Sequence, residues 1–252
     1  MVAKQAPAEH GTDEPERPFW ISYADLMTAL MVLFLVVMVV SLLSFANAVS
    51  ESEVLADKYR RLQARENERI ARLTEHRRRI AAFYDELERR TRGLGVAIDR
   101  RANAIRLGSY AWFATGSDEL PARGTVVLRQ VTQDLLELAD SELGRRVFRH
   151  AVVEGYADRR GSFLFNLNLS SNRSQRVLCA LLGEDGPHAL SDASKRRVRD
   201  LFIVGGYSFH GARRTLAASR RVELRLDFLN VGERRPRRPP TASTFGTCAL
   251  DA

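Results

Sequence analysis

The chain has 252 residues with a formal net charge of +8, room for one membrane anchor and one compact domain but not for two large domains and a long linker. The positive charge is almost all arginine spread along the chain, with lysine only at 4, 58 and 195. No basic patch with interleaved aromatics stands out, so direct nucleic-acid binding is not expected. Scattered histidines and two cysteines without metal or redox spacing argue against a metal centre, a cofactor site or a CxxC pair.

Residues 1–18 mix proline, glycine and alternating charges without periodicity and read as a disordered tail. Residues 19–46 form an almost wholly apolar run, about 40 Å long as a helix against a hydrocarbon core of about 30 Å, and are expected to span a membrane once. A cleaved signal peptide is the competing reading, supported by "ANA" at 46–48. The run is longer than the roughly 7–15 residues of a signal core, and the tail before it is acidic. Within the run, Asp25 costs roughly 2.5–3.5 kcal/mol to insert and so marks a functional position. It lies about 9 Å along the helix from Phe19. Ser22, Thr28 and Ala29 form a small or polar stripe around it, suited to close helix packing. The belt residues Trp20 and Tyr23 fit the alternative of an interfacial aspartate that snorkels to the headgroups. Basic residues Lys58, Arg60, Arg61 and Arg65 after the run outnumber Lys4 and Arg17 before it, which by charge alone points the large part to the cytoplasm.

Residues 47–92 are charged, lack proline and glycine, and predict a helical linker able to hold the next domain tens of ångströms from the membrane. Leu55, Leu62 and Phe83 share one heptad register and Tyr59, Leu73, Ile80 and Leu87 another, a seam for a homodimer interrupted by Glu66, Arg69 and His76. A solvated single helix is the alternative. "RGLG" at 92–95 stops the helix. A strand is expected over 96–107, a helix over 121–140, a buried strand over 148–156, a helix over 168–182, and strands over 200–207 and 220–228. The fold class is therefore α+β, helices laid on one sheet across 96–229, with a flexible tail over 230–252. Cys179 and Cys248 leave a disulfide open if this part is exported. No hydrolytic constellation is visible, so an enzyme is not expected.

The stretch "EGYADRRGSFLFNLNLSSNRSQRV" (154–177) resembles the signature of OmpA-like C-terminal domains, at Gly155, Asp158, Gly161, Asn166, Leu169, Ser170, Arg173 and Val177. "FATGSDEL" (113–120) and "SRRVELRL" (219–226) are weaker matches. The resemblance implies a βαβαββ sandwich that binds peptidoglycan through Asp158, Asn166 and Arg173. Asp158 would take the ammonium of a diaminopimelate zwitterion, and Arg173 its carboxylate by a two-point contact; an Asp158–Arg173 ion pair is the structural alternative. Tyr156 and Ala157 replace a frequent His-Thr, and Ser174 a frequent alanine.

"YADLMTALMVLFLV" is similar to the ion-carrying helix of MotB-type stator subunits, whose Tyr-Ala-Asp-x-Met-Thr-Ala pattern falls on Tyr23, Ala24, Asp25, Met27, Thr28 and Ala29. That family joins such a helix to an OmpA-like domain in the same order. It implies an inner-membrane protein with a cytoplasmic N-terminus and a periplasmic domain, against the charge count. It also implies a MotA-like, ring-forming partner of ZorA type around a dimer, and proton carriage on Asp25. The apolar segment is most similar to the stator-type subunits of Zorya anti-phage defence systems. A flagellar MotB-like stator and a passive OmpA-like tether remain the alternatives.

Overall fold

The computed structural model describes residues 19–183, 186, 188–236 and 245–251, so the tail expected over 1–18 lies outside the described residues. The chain divides into two compact units, residues 1–68 and 69–252.

Helix α1 (Phe19–Arg90) is the first element. Its length follows from composition: no glycine or proline interrupts it, and it stops where Gly93 and Gly95 adopt positive φ. Arg89 and Arg90 in its last turn suit the negative end of the helix dipole. In the first unit the apolar side chains from Leu26 to Phe45 all face outward. An unbroken apolar surface of this kind is stable only in a non-aqueous setting.

The second unit opens with the last turns of α1. Strands β1 (Ala97–Asp99) and β2 (Ala104–Arg106) follow, then helices α2 (Ala122–Asp140) and α3 (Glu142–Val147), strand β3 (Phe148–Gly155), helices α4 (Phe163–Leu182) and α5 (Asp192–Leu201), strand β4 (Phe202–Gly206), the short α6 (Leu216–Ser219) and strand β5 (Val222–Phe228). One five-stranded sheet has the order β1-β2-β5-β3-β4, with β3 and β4 parallel and the other pairs antiparallel. The parallel pair requires the crossover that α4 and α5 supply. Alternate residues of β3 and β5, among them Ala151, Val153, Leu224 and Leu226, are buried with Leu128, Val131 and Leu135 of α2 and Val177 and Leu181 of α4.

Four features differ from the expectations above. The single strand over 96–107 is a hairpin: the Asp99 carboxylate accepts from the N–H groups of Arg101 and Ala102, both at 3.0 Å, and Asn103 has φ 52°, which turns the chain back. Helix α4 starts at Phe163 rather than 168 because Ser162 caps it, accepting from the Phe165 N–H. The folded domain begins well before residue 96. Phe83, Tyr84 and Leu87 are buried and Ile80 packs against the same core, with the Phe83 ring stacked 5.6 Å from Phe148. His76, which breaks the heptad pattern, bonds the Leu229 carbonyl at 2.8 Å. The second half of the seam thus faces the chain's own domain.

The fourth difference is the tail expected to be loose from 230; of it, 237–244 and 252 lie outside the described residues. Arg235 stacks over the Phe148 ring and donates to the carbonyls of Phe148, Ala139 and Gly144. Cys248 forms a disulfide with Cys179 of α4, and Asp251 pairs with Arg176 one turn earlier. Long-range bonds of this kind leave no local sequence pattern.

Candidate functional site

The Asp158 turn is built by close backbone approach. A Cβ on Gly155 would lie 1.9 Å from the Ser170 carbonyl, and one on Gly206 would lie 2.2 Å from Ser171 Oγ, so β3 and β4 meet α4 only where a side chain is missing. Ser170 Oγ closes the contact by accepting from the Ser208 N–H at 2.9 Å. Gly161, at φ 93°, ends the turn and releases the chain into α4. The glycines and serine of the motif therefore fix the backbone, and Val177 belongs to the core.

Asp158 is buried and fully engaged. It accepts from the Arg160 N–H at 3.0 Å, from Arg160 Nη2 at 2.9 Å and from Arg220 Nη1 at 3.1 Å. These bonds, led by the Arg160 side chain, outweigh the cost of burial and hold the carboxyl down at about 2. Arg160 is half exposed and also donates to Thr115 Oγ1 at 3.1 Å. Arg220 reaches in from beyond α6 and donates from Nε to the Phe113 carbonyl at 2.9 Å.

Arg173 has no exposed surface. Its Nε donates to the Ser117 carbonyl at 2.9 Å, Nη1 to Tyr156 at 2.8 Å and Nη2 to Ala114 at 3.1 Å, with the guanidinium over the Phe113 ring. Burial first, and then the charge of Arg220, push its pKa down to about 10, which leaves it cationic at neutral pH. Arg173 makes no ion pair with Asp158, the alternative the sequence offered, and all three of its guanidinium nitrogens are taken by backbone carbonyls. It instead ties the 113–117 loop to the end of β3. Asn166 is buried and donates from Nδ2 to the Arg160 carbonyl at 2.8 Å, bracing the turn.

The structure thus brings Asp158, Asn166 and Arg173 into one cluster, with three guanidiniums around one carboxylate. Arg160 and Arg220 were not singled out from the sequence. Arg160 sits inside the quoted motif, whereas Arg220 lies 62 residues from Asp158 and carries no local sign of the contact.

Asp25 belongs to the first unit and is exposed on α1. Among the described residues none forms an ion pair with it. Thr28 Oγ1 donates to the carbonyls of Ala24 at 3.0 Å and Asp25 at 2.9 Å, so the hydroxyl beside the acid is satisfied by its own helix.

Residues 3–50, which include Asp25, match the family model described as membrane MotB of the proton-channel complex MotA/MotB. Zorya protein ZorB of Escherichia coli O139:H28 (strain E24377A / ETEC) is 40% identical over 226 residues, covering 89% of this chain and 86% of that protein. The chain belongs to the ZorB family. Among solved structures, the periplasmic domain of Helicobacter pylori MotB overlaps 54% of this ZorB-family chain and 81% of its own, at 16% identity and a TM-score of 0.38. The peptidoglycan-associated lipoprotein of Burkholderia pseudomallei overlaps 47% and 88%, at 21% identity and a TM-score of 0.32.

Proposed function

We propose that this chain is the membrane-anchored stator subunit of a proton-driven motor in Zorya anti-phage defence, carrying protons on Asp25 and moored to peptidoglycan through the Asp158 cluster. The observation that carries this reading is a lone carboxylate in an apolar helix with no counter-ion among the described residues of its own chain. Its surroundings must then come from other chains: a MotA-like, ring-forming partner of ZorA type and a second copy of this chain. Leu55, Tyr59, Leu62 and Leu73 are exposed along α1 at heptad spacing, which supports the homodimer. A proton crossing the membrane releases about 2.3 kcal/mol per 100 mV. Successive loading and unloading of Asp25 turns that energy into stepping of the partner ring.

Inner-membrane lipid surrounds the apolar half of α1 in this reading, with the N-terminus cytoplasmic and the folded domain periplasmic. The Cys179–Cys248 disulfide supports that orientation, since such bonds persist in oxidising compartments. At the wall, the ammonium of a diaminopimelate stem displaces the exposed Arg160 arm from Asp158. Arg160 then meets the ligand carboxylate, while Asn166 braces the turn and Arg173 holds the 113–117 loop beside it and adds its positive field. The work is mechanical and needs no catalytic group.

The test is Asp25→Asn in cells challenged with phage. Protection should fall to that of cells lacking the gene, while the variant still co-purifies with its partner and still sediments with peptidoglycan. Full protection by the variant would leave only a passive tether.

A further inference from the structure

The face of the sheet away from α2 and α4 carries a polar cavity of about 350 Å³. Its floor is unusual: Glu154 of β3 and Glu223 of β5 are paired directly across the strands, and both are buried. Like charges opposite each other destabilise a sheet unless cations intervene. Here four guanidiniums do so, and they supply more N–H groups than the two carboxylates absorb. Glu223 Oε1 takes Arg221 Nε at 2.8 Å and Arg213 Nη2 at 3.1 Å, and lies 3.5 Å from Arg106 Nε. That Arg106 nitrogen is buried and makes no hydrogen bond. Arg225 Nη2 lies 2.9 Å from Glu154 Oε1, out of hydrogen-bond alignment, and bonds the Tyr207 hydroxyl at 3.3 Å. The other nitrogens of Arg213 and Arg225 donate to nothing among the described residues.

The back wall is rigid. The Tyr156 hydroxyl donates to Glu154 Oε2 at 2.7 Å, and Arg221 lies over the Tyr156 ring at 4.2 Å while donating to the Gly211 carbonyl at 2.9 Å. Both carboxylates are therefore held, and the spare donors lie on Arg213 and Arg225, which are partly exposed where they line the cavity. Arg106 spends its charge on Asp99 at 2.6 Å, so the excess positive charge rests on the lining arginines. We infer that this cavity is a binding site for a small divalent oxyanion, held in a fork between Arg213 and Arg225, separate from the Asp158 cluster. Planar guanidiniums in pairs favour phosphate and carboxylate oxygens in this way.

Titration of the full-length chain in detergent, at low chloride, with inorganic phosphate and separately with malonate, tests the site. At least one probe should bind saturably with a dissociation constant of about 1 mM or tighter, and the pair says whether phosphorus or carbon carries the oxygens. Arg213→Gln with Arg225→Gln should weaken binding by about tenfold or more. The double variant also removes two of the four cations between Glu154 and Glu223 and should unfold at a lower temperature, so binding is read well below that transition. Arg213→Lys, which keeps the charge, should hold the wild-type unfolding temperature and retain part of the affinity. No saturable binding of either probe, or equal binding by the double glutamine variant, overturns the inference.

Discussion

Asp25 and Asp158 stand in opposite circumstances. Asp158 is enclosed by Arg160 and Arg220 and receives four hydrogen bonds that fix it as a carboxylate. Asp25 is exposed on an apolar helix and, among the described residues, has no ionic partner. The Asp158 turn therefore settles its own charge, whereas the acid of the apolar segment meets no counter-charge among the described residues of its own chain. A fixed anion suits recognition of a cation. An unsettled one suits a cycle of gaining and losing a proton in a partner's interface.

The comparison breaks if the domain's charge cluster is not the organising feature described. Arg173→Leu removes the donor for the carbonyls of Ala114, Ser117 and Tyr156 and leaves them buried. It should lower domain stability by about 3–5 kcal/mol, since each buried unsatisfied group costs about 1–3 kcal/mol. Denaturation followed by the fluorescence of Trp112 measures it, and wild-type stability would mean that Arg173 is a free ligand-binding arm after all. Next in size is the C-terminal strap. Cys179→Ser opens a cross-link between residues 69 apart, which should cost about 2–4 kcal/mol. Mild reductant should shift the wild type to the same unfolding curve and leave the variant unmoved.

The smallest effect concerns pH. The folded Asp158 carboxyl titrates near 2 against an ordinary 3.8. Its contribution is therefore complete above about pH 4 and is lost as pH falls toward 2. It amounts to about 1–2 kcal/mol once the solvent-exposed Arg160 arm is discounted. Asp158→Asn should flatten the stability profile in that window only. A profile with the same acid limb in both proteins would place the titrating group elsewhere.

Much of the fold was legible because its signals are local. The apolar run of α1, the β3 segment "FRHAVVEG" and the Gly155–Asp158–Gly161 turn each declare themselves within a few residues. Helix α5 was not expected: "DASKRRVRDL" is mostly charged, and only Val198 and Leu201 among its apolar side chains reach the core. The β1–β2 turn hides in an alternating stretch, because Arg100 and Arg101 read as strand residues until Asp99 folds the backbone over them. The end of the seam turns to the chain's own core for a physical reason. Ile80, Phe83 and Leu87 have the spacing of a helix interface whichever surface they meet, and here that surface is Phe148 and Phe228. Around the candidate site, the motif resemblance pointed to Asp158 and Asn166 within one turn and helix start, while the burial of Arg173 and the arrival of Arg220 depend on tertiary contacts alone.

Proton flux through reconstituted vesicles tests the central claim most directly. The chain and its MotA-like partner are co-purified, placed in liposomes with an internal pH dye, and driven by a potassium diffusion potential. The account predicts potential-driven acidification that disappears with Asp25→Asn, although the complex remains intact. Equal flux through the Asn variant and the wild type would contradict it.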